Sequence, residues 1–211
     1  MSLFRKTFRY SYRGVVFALI LINLLAYLAT VFRPAATIVF GMNFYGLLAQ
    51  HWWWQPFTYM FMHGSSQHLL FNMLGLGFFG IMVERAIGSS EFLLFYLLCG
   101  ILSGLASMTV YYFTGLYGVT LIGASGAIYA VLLLYAVVFP RAQVFVFYII
   151  PIPAPLLVVL YSLAALGSQI FGFRSGIAHT AHLFGFVVAF LYVRIRMGVD
   201  PIRIWREIYG S

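Results

Sequence analysis

The chain is 211 residues long, 64% hydrophobic and only 8% charged, with a formal net charge of +8. An average soluble domain is about a quarter charged, so this composition excludes a water-soluble globule. The single cysteine, Cys99, excludes a disulfide within the chain.

A membrane-spanning helix needs about 20 mostly apolar residues. Six such segments are predicted, at 14–32, 68–84, 91–113, 121–139, 144–171 and 176–196. The expected fold is therefore an all-α, polytopic membrane protein: a six-helix unit over 14–196 within a single membrane-embedded domain, 1–211, with short tails. The first segment follows a basic stretch, but no small-residue cleavage site comes after it, so it reads as a retained helix. Between the first and second segments lies one long connection, 33–67, with His51, Trp52, Trp53, Trp54, Gln55 and Pro56. Aromatics of this kind favour the membrane–water interface, and loops of this length are commonly functional. Pro151, Pro153 and Pro155 interrupt the fifth segment, whose spanning part is expected to start near Pro155.

The basic residues set the orientation. With the N-terminus inside, the inner side holds Arg5, Lys6, Arg9, Arg13, Arg85, Arg141, Arg194, Arg196, Arg203 and Arg206, and only Arg33 and Arg174 lie outside. All four acids, Glu84, Glu91, Asp200 and Glu207, also fall at the inner face. The positive excess thus reads as topology anchors and contacts for anionic lipid, and a nucleic-acid partner is excluded.

Polar groups at membrane depth are costly and mark function. In this orientation the second, fourth and sixth segments all start at the outer leaflet. His68 and Asn72 open the second, Ser125 lies four residues into the fourth, and His182 lies six residues into the sixth. At about 1.5 Å per residue, Ser125 and His182 fall roughly 6–9 Å below their helix starts. Ser125 sits in Gly123-Ala124-Ser125-Gly126. One reading is a small residue at a helix crossing. The other is a nucleophile, with Gly123 and Gly126 giving close access and the helix N-terminus supplying free N–H groups for an oxyanion. The base would be His182, whose alternative is a buried histidine bonded to another helix. Gly185 and Ala189 follow His182 at a spacing that lets the sixth helix pack tightly on a neighbour. No carboxylate lies on the outer side, so only a Ser–His dyad is available. Tyr129, one turn after Ser125, could stack on His182, and the amide of Asn72 is a donor of the kind an oxyanion needs. His179 reads as a supporting or an interfacial residue, and His63 as a residue that shapes the loop.

Taken together and in this order, the Ser125 motif, His182-x-x-Gly185 and His68-x-x-x-Asn72 resemble the rhomboid intramembrane serine proteases over about residues 14–196. The resemblance implies Ser125 as nucleophile, His182 as general base and acid, and an oxyanion hole of His68, Asn72 and the Ser125 backbone N–H. Tyr129 would be the ring beneath the imidazole, Gly123, Gly126 and Gly185 supporting residues, 33–67 the first outer loop, and the fifth helix the substrate gate. The substrates implied are single-span membrane proteins, cut near the outer leaflet, with no metal or organic cofactor. The chain departs from the family at Gln55, where Trp-Arg is common, and at Ala189, where a second glycine is common. The short N-terminal tail and the lack of a transit peptide point to a prokaryotic plasma membrane with both termini cytoplasmic.

Three other classes compete. A metal site of His63, His68, His179 and His182 leaves Ser125 without a role and gains no outer carboxylate or thiolate. A non-catalytic chaperone or receptor for transmembrane helices would need the packing glycines but not both Ser125 and His182. A channel would need a polar path through both leaflets, whereas these groups are confined to one.

Overall fold

The computed structural model describes residues 8–146, 149–170 and 179–210. Among the described residues six helices form the bundle: α1 (Val15–Phe32), α2 (Ser66–Ile87), α3 (Ser89–Phe113), α4 (Ser125–Val138), α5 (Ala154–Ile170) and α6 (His179–Met197), followed by a short α7 (Pro201–Tyr209). α1, α2, α3 and α6 are long and apolar enough to cross a membrane. The protein is thus an all-α polytopic bundle. The expected start of the sixth segment at 176, the end of the fifth at 171, and Arg5, Lys6 and Arg174 lie outside the described residues.

α4 is the centre of the bundle. Every residue from Ser125 to Val137 except Tyr129 is buried. Its 14 residues reach about 21 Å, less than the ~30 Å of a bilayer core. α6 crosses it at Gly185, where a side-chain carbon would overlap the Gly126 carbonyl oxygen, and α3 closes on it at Gly126, where one would overlap the Ser103 hydroxyl. Small residues at both crossings let the backbones touch. Ala189, one turn further along α6, is fully buried as well.

Two sequence expectations are corrected. α4 starts at Ser125 and not at 121, because Leu121 pairs with Met42 in a two-residue ladder, β1 (Met42–Asn43) with β2 (Thr120–Leu121), and Gly123 adopts φ +114°, which no helix continues. The described residues of 144–153 form no helix. They lie in two antiparallel strands, β3 (Gln143–Val146) paired with β4 (Ile150–Pro153), and α5 starts at Ala154. The β-branched run favours strand, the prolines at 151 and 153 cannot donate helical bonds, and Pro155 is tolerated in a first helical turn.

The end of the bundle opposite Ser125 is fixed by carboxylates. Glu84 is fully buried and accepts the backbone N–H groups of Val15 (2.7 Å) and Val16 (3.0 Å) together with the Ser89 hydroxyl (2.5 Å). It thereby places a negative charge at the N-terminus of α1. Glu91 at the start of α3 takes a two-point contact from Arg196 (2.6 and 2.8 Å) and the Tyr192 hydroxyl (2.5 Å), tying α3 to the end of α6. Along α2 Glu84 lies 16 residues beyond His68, about 24 Å. No described acid therefore approaches the polar end of α4, as the charge pattern anticipated.

The long connection is folded. Gln55, fully buried, accepts from Asn43 N–H (3.1 Å) and donates to the carbonyls of Ile38 (3.1 Å) and Val39 (3.2 Å). The Trp54 indole N–H donates to Val39 O as well (3.0 Å). Gln55 thus clamps the short helix Ala36–Phe40 to the rest of the connection.

Candidate active site

The first turn of α2 begins with Ser65, whose hydroxyl accepts from the His68 N–H (3.1 Å). This cap is the reason the helix starts where it does, and it puts His68 and Asn72 on successive turns of one face. The Asn72 amide donates to the His68 carbonyl (3.0 Å). The His68 ring stands over Gly123: a β-carbon there would lie 2.7 Å from the ring and 3.9 Å from Asn72 Nδ2. Gly123 is therefore required twice, by its left-handed φ of +114° and by the imidazole above it. Its own N–H donates to Tyr59 O (2.9 Å), which pins the turn leading into α4.

Ser125 is the first residue of α4 and is 8% exposed. The first N–H groups of a helix have no partner within it, and no side chain caps α4 among the described residues. The positive end of the helix dipole and a set of backbone donors are thus concentrated around the Ser125 hydroxyl.

His182 comes from α6. Its ring lies flat on that of Tyr129, with centroids 4.1 Å apart and planes 7° apart. Tyr129 is held in turn by Tyr161 of α5 (5.6 Å) and Phe186 of α6 (5.2 Å), both edge-on. The imidazole is oriented by a packed aromatic ring, in a place that no described carboxylate reaches.

These groups share one cavity of about 610 Å³, lined on its polar side by Ser65, Gln67, His68, Asn72, Ser125 and His182 and on its apolar side by Phe71, Gly75, Phe79, Ile128, Leu132, Tyr129 and Tyr161. Every polar residue singled out on the second, fourth and sixth segments, His179 and His63 apart, faces that space. His179 sets its ring edge-on to His182 at 5.9 Å, so it is a neighbour of the imidazole as well as a residue at the helix end. His63 is 2% exposed and packs edge-on behind His68 at 4.9 Å, with Nδ1 3.3 Å from the Phe61 carbonyl. Burial, reinforced by the adjacent His68, pushes His63 down to about 4. Four of the five histidines stand as two pairs, and among the described residues no three His, Cys, Asp or Glu side chains come together as a metal site.

Gln67 and Tyr161 line the cavity without having been anticipated. Gln67 gave a signal, a polar residue in the first turn of an apolar helix. Tyr161 gave none, since one aromatic in an apolar span is ordinary.

Residues 50–198 match the Rhomboid domain family. The chain belongs to the rhomboid family. Among similar rhomboids, the protease AarA of Providencia stuartii is 32% identical over 183 residues, covering 75% of this chain and 61% of that one. The protease GluP of Bacillus subtilis is 39% identical over 95 residues, 45% of this chain and 18% of that one. The protease GlpG of Haemophilus influenzae is 30% identical over 141 residues, 66% of this chain and 67% of that one. This rhomboid thus spans about three fifths of AarA and under a fifth of GluP. It is an integral membrane protein, and the family match takes in the whole cavity, from Ser65 to His182.

Proposed function

We propose that this rhomboid is an intramembrane serine endopeptidase that cuts transmembrane segments of single-span membrane proteins by a Ser125–His182 dyad. The observation that carries the reading is the convergence of Ser125, His182, His68 and Asn72 on one cavity, with the His182 ring stacked on Tyr129. Relatives named as rhomboid proteases support it.

In the proposed reaction a substrate helix enters from the lipid and unwinds locally, since an intact helix hides its carbonyls behind hydrogen bonds. Ser125 Oγ attacks the scissile carbonyl while His182 takes its proton. The resulting oxyanion is held by the Ser125 N–H, the His68 ring and the Asn72 amide, at the positive end of α4. His182 then protonates the leaving amine, and water entering through the cavity hydrolyses the acyl-enzyme. Tyr129 keeps the imidazole in plane throughout, the part that a carboxylate plays in a triad. Gly123, Gly126 and Gly185 allow the close approaches on which this placement depends.

We further read the six helices as one domain with both termini cytoplasmic, the cavity opening to the outer face, in a prokaryotic plasma membrane. The excess of arginine at the end opposite Ser125 supports this orientation.

The test is labelling of the purified protein by a fluorophosphonate, together with cleavage of a single-span substrate. Wild type is expected to label and to cleave, and Ser125→Ala to do neither while keeping its melting temperature. Labelling or cleavage that persists in Ser125→Ala would overturn the nucleophile, and a folded wild type that does neither would leave a helix-binding protein on the same scaffold.

A further inference from the structure

α7 lies across the end of α4 opposite the catalytic cavity. The Trp205 indole N–H donates to Ala136 O (2.9 Å) and the Tyr209 hydroxyl to Pro140 O (2.7 Å). The helix separates its side chains. Ile202, Ile204, Trp205, Ile208 and Tyr209 occupy one side and Arg203 and Glu207 the other, with Arg206 at the border next to Ile202. Such a helix lies in the plane of a membrane interface.

Beneath its apolar side are two separate grooves that share one wall. The first, about 400 Å³, runs between α5 and α6 and is lined by Val158, Leu183, Phe190, Ile202 and Trp205 among others. The second, about 360 Å³, runs beside the start of α5 and is lined by Pro153, Pro155, Leu156, Trp205 and Tyr209 among others. Trp205 and Val159 face both. Each groove is apolar almost throughout, and the two are arranged as a pair about a single indole.

Arg206 is the cation placed to serve both grooves. It lies four residues after Ile202, which walls the first, and three before Tyr209, which walls the second, so all three share a helix face. It is exposed and forms no ion pair among the described residues. The other basic residue of α7, Arg203, is engaged with Glu207 one turn on (2.8 Å).

We propose that this is a binding site for one anionic glycerophospholipid, with its two acyl chains on either side of Trp205 and its phosphate on Arg206. Two chains joined at one headgroup match two apolar grooves that share the Trp205 wall, with one cation next in helix spacing to a wall residue of each. The headgroup charge complements the uncompensated arginine, and the interfacial helix sets both at headgroup depth. A lipid so seated touches α5 through Val158, Val159 and Leu156, the helix that also supplies Tyr161 to the catalytic cavity. The site requires no proteolytic activity, so its test stands apart from that of the reaction above.

The experiment is native mass spectrometry of the full chain in detergent, titrated with phosphatidylglycerol, phosphatidylcholine or single-chain lysophosphatidylglycerol. Wild type is expected to retain one phosphatidylglycerol in preference to either of the others. Arg206→Gln should bind it about five-fold more weakly, the worth of one basic side chain near an anionic headgroup. Arg203→Gln should bind as wild type does, and Trp205→Ala should lose the preference for two chains over one. Melting temperatures of the variants check that the bundle is intact. Equal retention of phosphatidylglycerol and phosphatidylcholine by wild type, or equal loss in the Arg206 and Arg203 variants, would overturn the site. Loss of retention only in variants with a lowered melting temperature would overturn it as well.

Discussion

The imidazole of His182 rests on the phenol ring of Tyr129 at 4.1 Å, with the two planes 7° from parallel. A stacked ring constrains tilt as well as position, and it does so without charge in a place where a buried carboxylate would be costly to desolvate. Tyr129→Phe keeps the ring and should leave the cleavage rate within about two-fold of wild type. Tyr129→Ala removes it, and a lost aromatic contact of this kind corresponds to about a ten-fold fall in rate. Steady-state cleavage by the two variants checks this.

Gly123 and Gly115 both have positive φ, at +114° and +74°, but only Gly123 has a side chain above it. Gly115→Ala meets open space and should cost backbone strain alone, about 1 kcal/mol. Gly123→Ala adds a clash with the His68 ring and should lower the cleavage rate by about 10²-fold, the loss expected when one oxyanion donor is displaced. Thermal melts and cleavage assays on the pair separate strain from displacement.

Gln55 holds three backbone groups of the long connection in a site without solvent exposure. Gln55→Ala leaves the buried Asn43 N–H without its partner, while the Ile38 and Val39 carbonyls keep the Asn43 amide and the Trp54 indole as donors, and should destabilise the protein by about 1–2 kcal/mol. Gln55→Glu keeps the acceptor but loses the two donated bonds, and should be no better. Denaturation in mild detergent measures both.

His63 is held near 4 when folded, against about 6.5 in an unfolded chain. Between these values the unfolded chain binds the extra proton. The stability contributed by neutral His63 is therefore complete above about pH 6.5, falls as the pH drops, and is exhausted near pH 4. The whole effect is on the order of 3 kcal/mol. His63→Phe should flatten this part of the melting temperature–pH curve, as followed by thermal melts from pH 7 to 4.

Much of the candidate site is legible because each group is polar where the surrounding helix is apolar. Ser125, His182, His68 and Asn72 stand out for that reason, and helical spacing alone brought Tyr129 to the face of Ser125. Hydropathy failed at the ends of elements. Leu121 and Ile122 extend an apolar run through Gly123, so the start of α4 was placed early, although the glycine turn is what brings Ser125 to a helix end. The strand pair 143–146 and 150–153 is half visible in its prolines, but a strand and a short buried helix share an apolar run, and the cross-strand partners decide between them. In the sequence Gln55 is a polar residue of the long connection and a departure from a family pattern. A polar residue in a loop gives no hint of burial, which arises here from contacts with residues 12 to 17 positions earlier.

The brevity of α4 carries a last consequence. A rod sheathed by its fellows around nearly its whole girth meets few acyl chains, so the bilayer exerts little grip on its height. α1, the α2 surface and α5 present their apolar sides outward and must accommodate a thicker or thinner host by leaning. Under the proposed chemistry the reacting oxygen would keep its place within the scaffold while an incoming substrate rides up or down with the lipid. Reconstitution in vesicles of increasing chain length would then move the scissile bond along the substrate in steps of one residue, with the enzyme itself acting as the fixed ruler.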